Sequence, residues 1–313
     1  MTACAGFDPQ PSCWVCGATE LASIHRLIFD LSEYRVQDPE LAAYTGSRLA
    51  LCRCRRCGFA QPEALPALPH YFDRMYDQRW SGDWVAREFD AAYKDGIFEE
   101  ILDSLARRLD RSRRRLLDVG AHAGRFIAVA RQSGWRAEGL ELNPTTAAYA
   151  AERTGARVRQ VNVHDAGVER NAYDAVTITD VLEHIPRPLD VLSRTADLLA
   201  PGGWIAVKVP CGPSQLVKET WRGRLRRGYR PTIADNLVHV SHFSAMSLRL
   251  ALERAGFSSI TIEPGAPELP PDGGARGMLA RASRRVVHAA ARAIPAAVYT
   301  PLTLNLQAYA RRA

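Results

Sequence analysis

The stretch Leu-Leu-Asp-Val-Gly-Ala-His-Ala-Gly-Arg-Phe at residues 116–126 decides the fold of this chain. An apolar strand ends at Asp118, and the chain passes through Gly120 and Gly124 straight into a helical pattern. Glycines let the backbone turn tightly beside a ligand, and a helix N-terminus attracts negative charge. The next strand ends at Glu141, whose carboxylate can accept hydrogen bonds from two ribose hydroxyls. Together these features predict a site for a charged, ribose-bearing cofactor, and a dinucleotide stays an alternative.

Short apolar strands alternate with helical periods on both sides of this stretch, a pattern typical of a parallel sheet covered by helices. The predicted strands are 115–119, 136–140, 157–163, 172–179 and 204–209. The predicted helices are 83–109, 124–133, 144–154, 189–200 and 244–255. Residues 259–263 and 302–309 alternate in strand fashion around an arginine-rich helical stretch, so we expect them to close the sheet as an antiparallel pair.

Five sequence blocks resemble, in order, the class I S-adenosylmethionine-dependent methyltransferases of the small-molecule type. The blocks are LLDVGAHAGRF, GLELNP, TDVLEHIPRP, LLAPGGWIAVKVP and HFSAMSLRLALERAGF. The resemblance implies an α/β fold with a Rossmann-like sheet of seven strands, the last antiparallel, and helices on both faces. It also implies S-adenosylmethionine as the cofactor, bound over the carboxyl ends of strands one to four.

The resemblance also assigns cofactor contacts within and between these blocks. They are Asp118, Gly120, Ala121, Gly124, Glu141, His164, Asp165 and Asp180. The backbone at Gly120 is expected to hold the methionine portion, Glu141 the ribose, and the segment around His164 the adenine. One position departs from the family, because His122 stands where a second glycine is usual. Its imidazole must either point away from the cofactor or contact it, and we expect it to be tolerated.

Six of the seven cysteines lie near the N-terminus, in a pattern that predicts a zinc site. Cys13 and Cys16 form one Cys-x-x-Cys-Gly turn, and Cys54 and Cys57 form another. Each turn can present two thiolates, and four sulfurs satisfy tetrahedral zinc. Cys52 offers a competing thiolate. Two alternatives are reduced structural cysteines and a redox pair, although no thioredoxin-like strand and helix flank either turn.

The composition divides the chain into three parts. We expect a zinc-ribbon-like module over 1–66, a linker and packing helix over 67–110, and a methyltransferase domain over 111–313. Two lid insertions are expected at about 212–240 and 266–299. Arginines in the first suit a phosphorylated or carboxylated acceptor, because guanidinium groups pair with both anions, and a solvated lid is the alternative. The arginine-rich segment of the second is expected to pack against the lid, with membrane-surface contact as its alternative.

A base can assist methyl transfer by taking a proton from a hydroxyl or an amine. The cofactor's sulfonium is already a strong electrophile, so alignment supplies most of the catalysis. His184, His239 and His242 are the candidate bases, because histidine titrates near neutral pH. For His184 the alternative is that it fixes the loop, because it belongs to a block that the resembled family uses partly in that way. Cys211 is interpreted as a packing residue, since the Pro-Cys motif that cytosine-C5 RNA methyltransferases carry after strand four is absent.

The net charge of +7 is concentrated near the C-terminus, where residues 271–313 hold seven arginines and one acid. No apolar stretch is long enough for a transmembrane segment and no secretory signal is visible, so we expect a cytoplasmic protein. We predict methyl transfer to oxygen, nitrogen or carbon of a small metabolite, such as a phosphorylated, sugar or natural-product intermediate of biosynthesis. The alternatives are an RNA methyltransferase with a zinc module and a non-catalytic binding protein. Nucleic acid is disfavoured because no Asn-Pro-Pro-Tyr-like motif follows strand four.

Overall fold

The N-terminal part of the chain folds into two small antiparallel sheets and two short helices. The structure, a computed structural model, describes residues 6–77, 82–165, 167–225, 227, 229, 233–269, 274–294 and 296–313. The elements of this part are β1 (Phe7–Pro9), β2 (Leu21–Ile28), α1 (Pro39–Ala42), β3 (Arg48–Cys54), β4 (Ala60–Pro62), β5 (Ala64–Pro66) and α2 (Tyr71–Asp77). Strands β2, β3 and β4 form one sheet, and β1 pairs with β5. We call residues 6–77 the N-terminal module.

The structure places a short helix, α2, inside the segment 67–110 that was predicted as a linker and packing helix. Residues 78–81 lie outside the described part of the chain. Just before α2, Pro62 of β4 and Pro66 of β5 lie in short edge strands, where a missing N–H costs little. Tyr71 and Met75 of α2 are buried in the core of the module. The segment is therefore part of the module.

A predicted single helix over residues 83–109 is two helices in the structure. They are α3 (Gly82–Asp90) and α4 (Asp95–Arg108). The backbone changes direction between them at Ala92, whose φ is +50°. The pair Asp95-Gly96, a dipeptide that often marks a turn, follows the break and begins α4. The break is held from outside, because Lys94 pairs with Asp180 of the sheet. Tyr93 and Lys94 consequently line the cavity described below.

The described residues form a central sheet of seven strands. They are β6 (Arg115–Val119), β7 (Arg136–Leu140), β8 (Val158–Arg159), β9 (Tyr173–Thr179), β10 (Leu199–Pro210), β11 (Phe257–Gly265) and β12 (Asn305–Arg312). Their order across the sheet is β11-β12-β10-β9-β6-β7-β8. Strands β6 to β10 are parallel to one another, and β12 is antiparallel to both β10 and β11. This arrangement confirms the predicted Rossmann-like sheet with its last strand antiparallel.

The third strand of this sheet is shorter than the predicted range of 157–163. β8 has two residues and pairs with β7 only at Gly139 and Leu140. A backbone hydrogen bond from the Val161 N–H to the Arg159 carbonyl then turns the chain. Residues 161–164 consequently line the cavity at the carboxyl edge of the sheet instead of extending the strand.

Six further helices surround the sheet. They are α5 (Arg125–Gln132), α6 (Pro144–Thr154), α7 (Leu189–Leu198), α8 (Gly212–Leu225), α9 (Ala245–Arg254) and α10 (Gly274–Ala293). Four of them agree with the predicted ranges to within two residues, and α10 lies between the closing strands as expected. α8 is a correction, because its second half was predicted as an arginine-rich loop. Leu216 of α8 is buried in the core of the N-terminal module, and this apolar contact stabilises the helix.

The N-terminal module docks on the segment that precedes α9. Ala60 of β4 exchanges two backbone hydrogen bonds with His242, with N···O distances of 3.0 and 2.9 Å. The rings of Phe59 and Phe243 pack with 5.0 Å between their centroids. Apolar side chains of the module and of the main sheet share one core, so the module is fixed beside the carboxyl edge of the sheet. Among the described helices, none has the length and apolar character needed to cross a membrane.

Candidate active site

A cavity of about 1100 Å³ lies at the carboxyl ends of β6, β7 and β9. The sheet edge lines it with Asp118, Gly120, Ala121, Glu141, Val163 and Asp180, and the N-terminal module lines it with Asp8, Gln10, Leu65, Leu68, Tyr71 and Phe72. Pockets for one drug-sized ligand commonly measure about 300–1,000 Å³. The cavity therefore has room for a cofactor and a second small molecule.

The turn between β6 and α5 requires glycine at Gly120. Its φ is +78°, and an added Cβ would lie 2.4 Å from Cγ2 of Val181. Gly124 also has a positive φ, +83°, but an added Cβ there would meet Cβ of Ala150 in α6 at 2.9 Å. Gly124 is not among the residues that line the cavity. Its position does not support the predicted cofactor contact, and its role is to let α5 pack closely on α6.

His122 occupies a left-handed backbone position, with φ of +47°, which explains why glycine is usual there. Its ring packs edge-on against Trp84 of α3, with 5.3 Å between centroids. Burial lowers the pKa of His122, although the charges of Glu141 and Glu88 oppose this shift. A neutral imidazole held against Trp84 is therefore part of the cavity wall.

Glu141 ties together the loops that follow β6 and β7. Its Oε2 accepts a hydrogen bond from the backbone N–H of His122 at 2.8 Å, and its Oε1 accepts one from the backbone N–H of Asn143 at 2.9 Å. Each carboxylate oxygen has a further lone pair, so Glu141 can still accept hydrogen bonds from a diol. Glu141, the residue predicted to bind the ribose, thus lies in the cavity wall, and its backbone partners fix its orientation.

The other predicted cofactor residues of this edge differ in their positions. Asp118 lines the cavity, accepts a hydrogen bond from Oγ1 of Thr177 at 2.7 Å, and has its pKa raised by burial to about 7. His164 also lines the cavity. Asp165 does not, and its carboxylate accepts a hydrogen bond from the backbone N–H of Asn162 at 2.6 Å. Asp165 therefore shapes the turn that presents His164.

Asp180 belongs to a group of four charged side chains at the end of β9. Nζ of Lys208 donates to one of its carboxylate oxygens at 2.5 Å, and Nζ of Lys94 donates to the other at 3.1 Å. Both ammonium groups also lie 3.2 Å from Oε1 of Glu268. Burial would raise the pKa of Asp180, but Lys208 and Lys94 hold it well below its usual range. Asp180 is therefore a fixed anion beside the cavity and not a proton acceptor.

The three histidines considered as bases lie in different surroundings. His184 lines the cavity, and its Nδ1 lies 2.6 Å from the carbonyl oxygen of Val238. A carbonyl can only accept, so Nδ1 carries the proton and Nε2 is the basic nitrogen of the neutral ring. His239 packs edge-on against the His184 ring with 4.7 Å between centroids, and burial together with nearby histidines lowers its pKa to about 3. His242 is 2% exposed, and burial lowers its pKa to about 4.

Only His184 of these three histidines lines the cavity. His242 lies where β4 meets the segment before α9, and His239 lies behind the His184 ring. The structure therefore does not support His239 or His242 as the base. His184 stays the candidate.

Glu183 is a buried carboxyl group next to this histidine. It is 3% exposed, and among the described residues its Oε2 has no hydrogen-bond partner. Burial, together with the charge of Asp180, raises the pKa of Glu183 to about 8. The folded protein therefore favours the protonated, neutral form of this side chain at neutral pH.

Stability is expected to fall between about pH 4.5 and 8 because of Glu183. Folding raises its pKa, so the folded state holds a proton there that the unfolded chain has released, and the stabilisation is lost as the pH rises through 8. Glu183→Gln removes this titration. Between pH 5 and pH 8 the unfolding free energy of the variant should therefore fall less than that of wild type, by on the order of a few kcal/mol. Denaturant unfolding at several pH values measures the difference, with the exposed Glu152→Gln as control. Equal pH slopes for wild type and Glu183→Gln contradict the assignment.

Two other predicted features lie outside the cavity. Cys211 is fully buried, and burial raises the pKa of its thiol to about 11, which fits a packing residue. The described arginines of the first insertion, Arg222, Arg224 and Arg227, are not among the lining residues. Their positions on or after α8 do not support a role in acceptor recognition.

Four cysteines of the N-terminal module meet at one point. The Sγ atoms of Cys13, Cys16, Cys54 and Cys57 all lie within 4.8 Å of one another. The Cys13–Cys57 distance is 3.6 Å and the Cys16–Cys54 distance is 3.5 Å. Sulfurs bound to tetrahedral zinc at about 2.3 Å lie about 3.8 Å apart. Cys52 is buried in β3 but is not a member of this group.

The two Cys-x-x-Cys-Gly turns are built in the same way. The N–H of Gly17 donates to the carbonyl of Cys13 at 2.8 Å, and that of Gly58 donates to the carbonyl of Cys54 at 3.0 Å. The φ angles of the two glycines are +75° and +74°. Both turns therefore direct their sulfurs to one point, and the donor set fits a zinc ion.

Sequence reasoning missed the aromatic wall of the cavity. Tyr71, Phe72, Trp84 and Tyr93 line it, from a segment predicted as linker and from within a predicted continuous helix. Trp84 and Tyr93 belong to an apolar series with Phe89 and Ile97 at spacings of four to five, which suggested ordinary core positions of a helix. The density of aromatic residues between 71 and 93 was the available signal, but only the break at Ala92 brings them to one cavity.

The sheet order and the glycine turn at its edge define the fold of S-adenosylmethionine-dependent methyltransferases. A family model described as a methyltransferase domain matches residues 93–262, more than half of the chain. The chain belongs to this methyltransferase domain family. The N-terminal module lies outside the matched range.

Curated relatives match a shorter region. The ubiquinone biosynthesis O-methyltransferase of Bordetella avium is 35% identical over 98 residues, which is 29% of this chain and 41% of that protein. The enzyme of the same name from Nitrosospira multiformis is 31% identical over 96 residues, 29% of this chain and 40% of that protein. The chain thus spans about two fifths of the length of these relatives.

Solved structures share the fold. Phosphoethanolamine N-methyltransferase 2 of Haemonchus contortus aligns with a TM-score of 0.53 and 16% identity, over 81% of this chain and 62% of that chain. Another solved structure is a Haloferax volcanii complex between the Trm112 methyltransferase activator and a methyltransferase. One of its chains aligns with a TM-score of 0.51 and 15% identity, over 73% of this chain and 94% of that chain. At these identities the likeness shows the fold alone.

Proposed function

We propose that this protein is an S-adenosylmethionine-dependent methyltransferase that methylates a hydroxyl oxygen of a small aromatic molecule. One observation carries the proposal: a single cavity joins the glycine turn and Glu141 at the sheet edge to His184 and the aromatic wall. The family match supports the reaction class. The names of the curated relatives support transfer to oxygen.

The sheet end of the cavity suits the cofactor. Gly120 allows the tight turn after β6 that forms this end of the cavity, and Glu141 presents carboxylate lone pairs to the ribose. S-adenosylmethionine supplies the methyl group on a sulfonium that needs no further activation. The chain's task is to hold donor and acceptor in line and to exclude water.

The other end of the cavity suits the acceptor. Tyr71, Phe72 and Tyr93 offer ring surfaces against which an aromatic acceptor can pack in offset or edge-on geometry. Arg187 also lines this end, and its Nη2 lies 3.4 Å from Oε1 of Gln10 on the module. This pair can bind an anionic or carbonyl substituent, so the module contributes directly to the choice of acceptor.

His184 is the residue placed to take the hydroxyl proton. It lines the cavity, its Nδ1 is engaged with the Val238 carbonyl, and its Nε2 is therefore the basic nitrogen. The edge of the His239 ring against His184 limits rotation of the imidazole. Removing the proton as the methyl group is transferred avoids a positively charged oxygen in the product.

The cysteine group is proposed to hold a structural zinc ion. Four thiolates fill a tetrahedral coordination sphere and leave no position for substrate, so the ion takes no part in the chemistry. The ion stabilises the N-terminal module, which lines the acceptor end of the cavity. A thiolate zinc site needs reduced cysteines, which fits the cytoplasm as the compartment.

The test is methyl transfer from S-adenosylmethionine labelled on its methyl group. Hydroxylated aromatic acids, phosphorylated metabolites, nucleotide sugars and RNA are offered separately to the zinc-loaded protein. The proposal expects labelled product and S-adenosylhomocysteine with a hydroxylated aromatic compound. Transfer to RNA alone, or cofactor binding without transfer to any acceptor class, contradicts it.

His184→Ala is expected to lower kcat by about 10²–10⁴-fold, because that is the usual contribution of a positioned base. KM for S-adenosylmethionine should change little, since His184 lies at the acceptor end. The measurement is steady-state kinetics across pH, with His25→Ala of β2 as a matched histidine control. An unchanged kcat in His184→Ala shows that no base acts there.

A further inference from the structure

Helix α10 presents an apolar side to solvent. Met278, Leu279 and Val286 are 62%, 72% and 67% exposed. They share one helix face with exposed alanines at 282, 289, 290 and 293. A surface helix of a globular protein ordinarily turns such a face toward the core. In α10 this apolar face points to solvent instead.

Contacts on the other side of α10 hold it in this orientation. Arg284 donates a hydrogen bond to the carbonyl of Glu268, whose carboxylate belongs to the charge group at the cavity. Arg292 pairs with Glu100 of α4, and Ala291 is buried. Polar contacts therefore anchor the opposite side of α10, and they keep its apolar face exposed to solvent.

The charged side chains that α10 itself carries are all arginines. Residues 273–313 contain no Asp or Glu, and α10 itself carries five arginines. Arg285 is exposed on the outward side, next to Val286. A second copy of this chain seated face to face would bring like charges together, whereas an anionic surface would neutralise them.

Helix α8 carries exposed basic and apolar side chains of its own. Burial, together with the charges of Arg222 and of Arg284 on α10, lowers the pKa of Lys218, so the two helices bring their cations close together. Trp221 and Leu225 follow Lys218 at spacings of three and seven, on one side of α8, and both are exposed. Tryptophan and leucine beside cationic side chains are the composition of interfacial helices.

We propose that α10 binds peripherally to a bilayer surface that contains anionic lipid. The side chains of Leu279, Met278 and Val286 would enter the boundary between headgroups and acyl chains, and the arginines would meet the lipid phosphates. The helix lies along the surface and does not cross the bilayer. This surface is separate from the proposed methyl transfer, which uses none of these residues.

The experiment is co-sedimentation of the full chain with vesicles of phosphatidylcholine alone and of phosphatidylcholine mixed with phosphatidylglycerol. The protein should bind the mixed vesicles, bind neutral vesicles at least about tenfold more weakly, and lose binding as salt rises. The double variant Leu279→Glu, Val286→Glu should lower partitioning by at least about tenfold, because burying each apolar side chain is favourable. Both side chains are exposed, so the fold should be unaffected, and circular dichroism checks this.

Val36→Glu is the matched control. Val36 is 91% exposed but lies in the N-terminal module, so this variant should bind vesicles as wild type does. The proposal is overturned if wild type stays in solution with mixed vesicles, or if Val36→Glu weakens binding as much as the α10 variant. It is also overturned if light scattering shows a dimer that the α10 variant dissociates, since the face then belongs to a second copy.

Discussion

Replacing Cys54 with serine is expected to release the metal ion and unfold the N-terminal module. Cys54 is one of four sulfurs within 4.8 Å of one another, and its turn is closed around the site by the Gly58 N–H. Structural zinc contributes about 10–16 kcal/mol in zinc-finger peptides, so losing one ligand should cost several kcal/mol. That is a large part of the roughly 5–15 kcal/mol by which a domain is stable. Zinc content per chain and denaturant unfolding measure the effect.

Cys52→Ser is the control for this prediction. Cys52 lies two residues earlier in β3 and is also buried, but it is not part of the sulfur group. The same chemical change there should leave the zinc content at one ion per chain. Loss of zinc in Cys52→Ser with retention in Cys54→Ser would show that Cys52 is the ligand. A stable wild-type protein that takes up no zinc would remove the metal site altogether.

The second large effect is expected for Glu141→Ala, which should weaken S-adenosylhomocysteine binding by at least about a hundredfold. The variant loses two hydrogen bonds to the ribose, and hydrogen bonds to a charged group contribute about 1.5–3 kcal/mol each. It also releases the backbone N–H groups of His122 and Asn143, which loosens both loops of the cofactor end. Calorimetric titration of the purified protein measures the affinity.

Glu138→Ala is the matched control for the cofactor site. Glu138 lies on the same strand, β7, but accepts a hydrogen bond from the hydroxyl of Tyr173 and does not line the cavity. The affinity of Glu138→Ala should stay near that of wild type. If Glu141→Ala binds as well as wild type, the ribose is held elsewhere. If wild type itself fails to bind, a binding protein without catalysis becomes the better account.

Most of the fold was predictable because its signals are local. The strand, glycine turn and helix of residues 116–126 carry their own conformational requirements, and Gly120 meets a steric limit that only glycine satisfies. The two Cys-x-x-Cys-Gly turns are equally self-contained, since each closes through its own backbone hydrogen bond. Such features do not depend on which other segments pack nearby, so the sequence alone can identify them.

The shape of the cavity was not predictable, because it depends on contacts between distant segments. Ala92 adopts a positive φ although it is not a glycine, and the pairing of Lys94 with Asp180 that holds the break joins residues 86 positions apart. Leu216 makes α8 a helix through a core it shares with the N-terminal module. His242 looked like a base from its place in the sequence, and only docking of β4 shows that it is buried.

A crystal structure of the zinc-loaded protein with S-adenosylhomocysteine tests the central claim most directly. The account predicts ribose hydroxyls within hydrogen-bond distance of Glu141, and the sulfur directed toward the part of the cavity between His184 and the aromatic side chains of the N-terminal module. The ligand bound with its ribose away from Glu141, or with its sulfur facing away from His184, would contradict the claim that this cavity joins donor and acceptor.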